Sequence, residues 1–380
     1  MTGKDKIRSA FSRDGAREIP AVLCYSGIYF RDHWAQLTRQ PWWAASSPDM
    51  AMHRALHADL IRNVGQDWYP LPTGPSREDR RDVVIEERAD GVHRVNRRTG
   101  ADRLLVQPQV SGWQNLTNHG QEPENPPRTP EEIDERLRIP TDEELNAVFS
   151  TGAMDLTEAL KKGEARDLLW IGATSTPFWN AWSMWSFAEM MRKPLEDPKL
   201  LHHMCARAVE TKRPHIRRMA RMGVEGVWIE ECMTDMLSPA LFREFNLPYL
   251  RAITDAIREA GMFSIYYYCG NPNDRLDALL ESGADALGLE ESKKGWEVDI
   301  EKIATAVGGR MAVLGNLDAI QLLEHGTEKE LREEITRQIK AGRRNGSRFA
   351  MSLGSPVTPG TSVERVRRYC ELAHEIGSRA

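Results

Sequence analysis

The chain predicts an α/β fold, a (β/α)8 TIM-type barrel with an inserted β-meander and long loop in its N-terminal half. Three observations carry this expectation. Eight short apolar runs, near residues 22, 67, 170, 228, 265, 288, 313 and 351, mostly alternate with helical patterns. The second half of the chain carries no hairpin signal, which suits parallel βα units. Several runs end in residues suited to chemistry rather than packing, and such barrels keep their sites at strand C-terminal ends. A doubly wound sheet is the competing architecture. A single domain is expected over 1–380, with the insertion at about 75–150.

In order, residues 4 to 16 read as a short polar helix, and Pro20 to Cys24 as the first strand. A helical segment around Arg31 to Leu37 follows. Ser47-Pro48 reads as a serine cap with proline at the first helical position, opening a helix that ends at Gly65. Asp67-Trp68-Tyr69 closes a second strand. Val83 to Glu86 and Val92 to Val95 flank Ala89-Asp90-Gly91, and Asp-Gly is a hairpin signal. A further turn at Thr99-Gly100 leads to Leu104-Leu105-Val106. The Pro-, Asn- and Glu-rich stretch from Asn115 to Pro140 reads as a long loop, of the kind that serves as a lid or linker. From about 153 strands and helices alternate regularly. Ser238-Pro239 caps a helix, Pro248 restarts it and Gly261 closes it. The last helix runs from about Val363 to Ile376.

Composition narrows the class. An apolar share of 41% with 28% charged residues is that of a globular protein, and a net charge of −5 offers no nucleic-acid surface. No apolar run approaches the ~20 residues that span a bilayer, so no membrane partner is expected. Basic residues near Met1 precede no apolar h-region. Five scattered cysteines (Cys24, Cys205, Cys232, Cys269 and Cys370) fit a reducing cytoplasm better than a disulfide framework. Tryptophans cluster at 170, 179, 182 and 185, as in an aromatic-lined cavity or an interface.

The candidate chemistry sits at the strand ends. Cys269 follows Tyr266-Tyr267-Tyr268 and precedes Gly270, where a thiol is a buried structural group or a metal ligand or nucleophile. Glu230 and Glu231 end another strand. Neighbours on a strand point to opposite sides, so one of the pair faces the barrel axis. An inward carboxylate there calls for a metal, a proton or a cation. Glu290-Glu291-Ser292-Lys293-Lys294 repeats the arrangement, with the lysines read chiefly as a solvated loop. Asn316 reads as a substrate contact or a helix cap, and Asp318 as a cap. His119 is a weaker lid contact, and His202-His203 read as surface or interface residues. No HExxH, GxGxxG, Walker or GxSxG pattern is present.

From about 220 to 376 the chain resembles the uroporphyrinogen decarboxylase superfamily, which includes corrinoid-dependent methyltransferases. The matching pieces are Gly226-Val-Trp-Ile-Glu-Glu231, Ser238-Pro-Ala-Leu-Phe-Arg243, Pro248-Tyr-Leu250, Tyr268-Cys-Gly270, Gly283-Ala-Asp-Ala-Leu287 and Gly315-Asn-Leu-Asp318. Weaker similarity reaches the N-terminus. The family fold is a (β/α)8 barrel. True decarboxylases carry an arginine-rich loop after the first strand, where this chain reads Leu23-Cys-Tyr-Ser-Gly-Ile28. They also place a histidine where Gly354-Ser355 stands. The methyltransferase branch binds zinc through His-x-Cys-Gly after the fifth strand and a cysteine after the last. Cys269 matches, whereas Tyr267 and Ser355 stand at or near the other two ligand positions.

The resemblance therefore implies a methyltransferase that moves a methyl group between a small methoxy, amine or thiol compound and a corrinoid (cobalamin) carried on a partner protein. Zinc would be held by Cys269 and Glu231, with Glu231, Tyr267 and Glu291 catalytic. Trp179, Trp182 and Asn316 would bind substrate, the insertion would help dock the carrier, and the family favours a homodimer. The first rival is a metal-free decarboxylase acting on a porphyrinogen or a smaller acid. A non-enzymatic binding barrel is the second.

Overall fold

The computed structural model describes residues 1–113, 123–293 and 295–379. The expected barrel strands are β1 (Trp68–Pro70), β5 (Leu169–Ser175), β6 (Gly226–Glu231), β7 (Phe263–Tyr268), β8 (Ala286–Leu289), β9 (Ala312–Leu314) and β10 (Phe349–Ala350). They form one sheet in the order β1-β5-β6-β7-β8-β9-β10, and every pairing is parallel. Between β1 and β5 the chain lays down a separate antiparallel sheet, β2 (Val83–Arg88), β3 (Gly91–Asn96) and β4 (Asp102–Leu104).

The eighth barrel position is filled by Pro20 to Leu23, which the sequence reads as a strand. The structure holds it as extended chain between the two ends of the sheet. Ala21 bridges Met351, whose N–H donates to the Pro20 carbonyl at 2.8 Å. On the other side the Asp67 N–H donates to the Ala21 carbonyl at 2.9 Å. Side chains replace ladder bonds here: the Ala21 N–H donates to Asp67 Oδ2 (2.8 Å) and the Leu23 N–H to Gln66 Oε1 (3.0 Å). The fold is thus a TIM-type barrel with one seam stitched largely by side chains.

Helices form the outer layer, and their ends follow local chemistry. Ser238 caps Pro239–Phe245 through the Leu241 N–H, and Pro248 lies in the first turn of Leu247–Glu259. The cap of Met50–Val64 is Asp49 rather than Ser47. The Asp49 carboxylate accepts from the Ala51 N–H, while Ser47 Oγ accepts from the Asp49 N–H and only supports the turn. Part of the expected long loop is helical: Pro130–Arg136 begins with a capping box in which Thr129 and Glu132 satisfy each other's backbone N–H groups. That signal was present as Thr-Pro-Glu-Glu and was outweighed by the proline-rich composition. In the meander the turn centres on Ala89 and Asp90, and Gly91 begins β3 opposite Arg88. No helix among the described residues is long and apolar enough to cross a membrane.

Candidate active site at the barrel mouth

Strand register decides which of the strand-end residues meet. On β6 and β7 the pairs are Trp228 with Ile265, Glu230 with Tyr267 and Glu231 with Tyr268. Alternation puts Trp228, Glu230 and Tyr267 on the inner face. The Tyr267 ring lies stacked on Trp228, with centroids 4.8 Å apart. Ile229, Glu231, Tyr266 and Tyr268 face the helices, where Tyr268 meets Phe242 edge-on.

Glu231, expected as a zinc ligand and catalytic group, is therefore turned away from the mouth. Its carboxyl accepts from Asn246 Nδ2 (2.8 Å), Thr176 Oγ1 (3.2 Å) and the Tyr266 hydroxyl. Complete burial pushes its pKa up to about 7. The inward glutamate is Glu230. It accepts from the Tyr25 hydroxyl at 3.3 Å, and burial raises its pKa as well.

Cys269 does stand at the mouth, and its closest thiol neighbour went unrecognised in the sequence. Cys232 and Cys269 each follow directly after their strands, so the register that pairs Glu231 with Tyr268 brings the two sulfurs to 3.1 Å. Two cysteines, each one residue past the end of a neighbouring parallel strand, were the available signal. The Tyr25 hydroxyl lies 3.8 Å from Cys269 Sγ, and Glu230 Oε1 lies 4.0 Å from Cys232 Sγ. Burial, then the adjoining Cys232 thiol, pushes the Cys269 thiol well above its usual range.

A second polar group faces this pair. Lys293 Nζ pairs with Glu290 Oε1 (2.8 Å) and Glu291 Oε1 (3.4 Å), and donates to Ser355 Oγ. Ser355 in turn donates to the Glu291 carboxylate, at 2.7 and 2.8 Å to its two oxygens. Burial raises the Glu291 pKa, and Lys293 and Ser355 work against that rise. Lys293 is thus an inward ion-pair partner rather than a solvated loop residue. Lys294 and His119 lie outside the described residues.

These groups line a cavity of about 470 Å³ whose wall includes Tyr25, Trp113, Cys232, Cys269, Glu291 and Lys293. A second cavity of about 320 Å³ adjoins it, lined by Leu23, Trp68, Leu71, Ile171 and Trp228, with Glu230 on its wall. Tyr25 belongs to both walls. Tyr25 (φ 52°) and Met233 (φ 68°), both on the mouth wall, have left-handed backbones. For side-chain-bearing residues this is strained, and such strain gathers at functional sites.

Tyr267 is buried on the mouth wall, with its hydroxyl donating to the Gly354 carbonyl at 2.5 Å. Asn316 does not reach either cavity. Its amide donates to the backbone carbonyls of Val298 (2.9 Å) and Glu290 (3.2 Å), so it shapes the loop that carries Glu290 and Glu291. Asp318 caps the following helix through the Ile320 and Gln321 N–H groups, as expected. Trp179 and Trp182 pack on each other with centroids 5.9 Å apart and are absent from both walls. Their helix leans instead on the loop before Pro130: Trp185 Nε1 donates to the Pro127 carbonyl.

The zinc set implied by the resemblance is not assembled here. Tyr267 and Ser355 are committed to Gly354 and Glu291, Glu231 faces the helices, and two thiols remain. Among the described residues no group of three or more His, Cys, Asp or Glu side chains is arranged to hold a metal. Protein zinc sites supply three or four donors, so the described residues do not fit that ion.

A parallel barrel with adjoining cavities at the C-terminal ends of its strands has the layout of a barrel enzyme. The uroporphyrinogen decarboxylase (URO-D) family model matches residues 103–376, and the chain belongs to that family. Uroporphyrinogen decarboxylase 2, chloroplastic, of Arabidopsis thaliana is 28% identical over 192 residues, covering 50% of this chain and 46% of that protein. The chain thus spans about half the length of that relative. Uroporphyrinogen decarboxylase of Carboxydothermus hydrogenoformans is 24% identical, covering 73% of this chain and 77% of the relative. A solved methyltransferase from Methanosarcina mazei shares the fold at a TM-score of 0.66, with 17% identity and 99% of both chains covered.

Proposed function

We propose that this barrel is a methyltransferase that moves a methyl group from a small methylated compound to a corrinoid carried on a partner protein. The observation that carries this reading is the pair of cavities sharing the Tyr25 wall. Methyl transfer needs a donor and an acceptor held side by side, and two adjoining cavities suit two reactants. The larger one opens at the mouth, where a carrier protein has access. When bound there, the corrinoid supplies the methyl-accepting centre. The chain's own residues orient the donor, exclude water and hold a proton for the leaving group at Glu230.

A decarboxylase is the rival reading, and the curated relatives favour it. Against it stands the charge of the walls. A tetrapyrrole with many carboxylates needs several cations. Among the described wall residues of the two cavities Lys293 is the sole cation, and Glu290 and Glu291 already pair with it.

The test is anaerobic incubation of the full chain with chemically reduced cobalamin and a panel of methyl ethers, methylamines and methyl thioethers, following methylcobalamin by its absorbance. Methylcobalamin formed with at least one donor supports the reading. Carbon dioxide released from a porphyrinogen, with no methylcobalamin from any donor, would overturn it.

A further inference from the structure

We infer that the free edge of β4, with the groove of about 670 Å³ beside it, is a docking site for an extended apolar segment of a partner protein. The segment adds to the meander as a further strand and sets a carboxylate against Arg103. The groove does not depend on which reaction the barrel mouth performs.

The edge itself calls for a strand. The meander runs β2-β3-β4, so β4 is paired on one side only. The Leu105 N–H donates to the Val92 carbonyl at 2.8 Å, continuing the pairing with β3. Backbone groups alternate along an antiparallel pair, so the N–H and C=O of Leu104, opposite His93, point outward. Every residue from Arg103 to Pro108 borders the groove, as where a strand lies along it edge-on. Folded proteins guard such edges with charge, proline or cover, because an open one recruits another strand. The far edge of this sheet follows that rule, since β2 ends in Glu86, Glu87 and Arg88. β4 does not. After Arg103 the chain reads Leu-Leu-Val-Gln, with Leu104 48% and Val106 82% exposed.

The facing wall calls for apolar side chains. It is built from Phe30, Trp34, Trp42 and Trp43, all half-buried. An added strand bonds β4 with its backbone and offers every second side chain to these rings. Charge fixes one further feature. Arg80, Arg81, Arg88, Arg94 and Arg98, in and around the meander, each pair with a carboxylate. Arg103, on the groove wall, has no ion pair among the described residues. A carboxylate on the incoming segment completes it. The groove also lies one strap away from the mouth. Arg31 Nη2 donates to the Gly112 carbonyl (2.6 Å), and Asp32 accepts from the Gly112 N–H (2.8 Å). Arg31 and Asp32 border the groove, while Gly112 and Trp113 border the mouth cavity, so a partner held here stands beside the mouth.

The test uses the full chain and fluorescein-labelled, end-blocked hexapeptides in which valine alternates with threonine, with and without one threonine replaced by glutamate. Binding is read by fluorescence anisotropy. The wild type should bind the glutamate peptide more tightly than the neutral one, and amide exchange over residues 102–107 should slow in the complex. Two further peptides carry N-methyl groups on their odd or their even amides. At least one of them should bind about tenfold or more weakly, since it lacks the donors of the bonding edge. Leu104→Pro removes the outward N–H and leaves the β3 ladder intact, a place where proline is tolerated. It should weaken the glutamate peptide by about tenfold. Trp43→Ala, which strips the facing wall, is the second variant should the first misfold, with a loss of about tenfold or more. Arg103→Ala should erase the preference for glutamate, and a preference that persists overturns the charge assignment. No binding by any peptide, unchanged binding in both folded variants, or N-methylated forms that both bind like the parent would overturn the inference. So would a wild-type dimer in sedimentation that Leu104→Pro dissociates, because the occupant of the edge is then a second copy of this chain.

Discussion

Glu231 shows how one carboxyl can be conspicuous in sequence and structural in role. Its three hydrogen-bond donors are neutral, so burial dominates and the folded pKa rises from 4.5 to about 7. A raised folded value favours the protonated form. The stability it contributes is fully present below the unfolded pKa near 4.5 and is lost as pH climbs through the folded value near 7. That window is worth roughly 3 kcal/mol at most. Glu231→Gln removes this titration. Urea unfolding at pH 5 and pH 8 should show the variant clearly less stable at the lower pH and the gap narrowing at the higher one. A gap that stays constant would mean that Glu231 is ionised throughout. The neighbouring Glu230 differs by one residue and by face, and because that carboxyl is only part-buried beside a cavity, Glu230→Gln should change unfolding in the same sense but less.

At the scale of elements, the β7 exit loop is what aims Cys269. Gly270 sits at φ +138°, and a Cβ there would lie 2.4 Å from Asp235 Cβ. Glycine thus meets two demands, a left-handed backbone and contact with the β6 exit loop that carries Cys232. Gly270→Ala should cost about 2–4 kcal/mol from strain and overlap together, read by chemical unfolding. It should also separate the thiols, so that a short bifunctional arsenical no longer bridges Cys232 and Cys269. Retained bridging in a destabilised variant would place the tolerance in the loop rather than in the strand. A similar crowding governs the outer layer: a Cβ on Gly342 would lie 2.2 Å from Phe349 Cγ, so the helix Glu328–Arg344 can approach β10 only with glycine there.

At the scale of the molecule, the barrel closes where its strand ladder is weakest. Asp67 binds the Ala21 N–H, His374 Nε2 at 2.7 Å and Lys6 Nζ at 3.3 Å, and so ties the seam to both terminal helices. Burial works against its charge, yet His374, Lys6 and the Ala21 N–H hold the pKa below 3.8. A lowered value contributes stability above the unfolded pKa that is lost only as pH falls through the folded one, so this tie holds at neutral pH. Asp67→Ala should lose about 2–3 kcal/mol, since the buried Ala21 N–H and the part-exposed Lys6 and His374 lose their acceptor, and proteolysis should begin near residue 20. Thermal unfolding that matches the wild type would show that the helices close the barrel without it.

The sequence by itself determined the architecture and the level at which chemistry is found. Short apolar runs, proline and serine at helix starts, and glycine at helix ends are local signals. Each is set by a few neighbouring residues, and so Ser238, Gly261 and Asp318 were legible. The same holds for Cys269, announced by its place after Tyr268. What the tertiary structure alone decided was facing and partnership. Which glutamate of Glu230-Glu231 turns inward depends on the register of β6 against β7, because a shift of one residue exchanges the faces. Whether Cys269 meets Tyr267, Ser355 or Cys232 depends on where three separate loops end in space. The tryptophans at 179 and 182 form a cluster in sequence, but helix packing carries them away from both cavities, whereas Trp68 and Trp228 on two strands and Tyr25 at a helix start come together from distant parts of the chain. Local free energies write elements into short stretches of chain, while a cavity is a sum over contacts far apart in sequence, and no short stretch contains that sum.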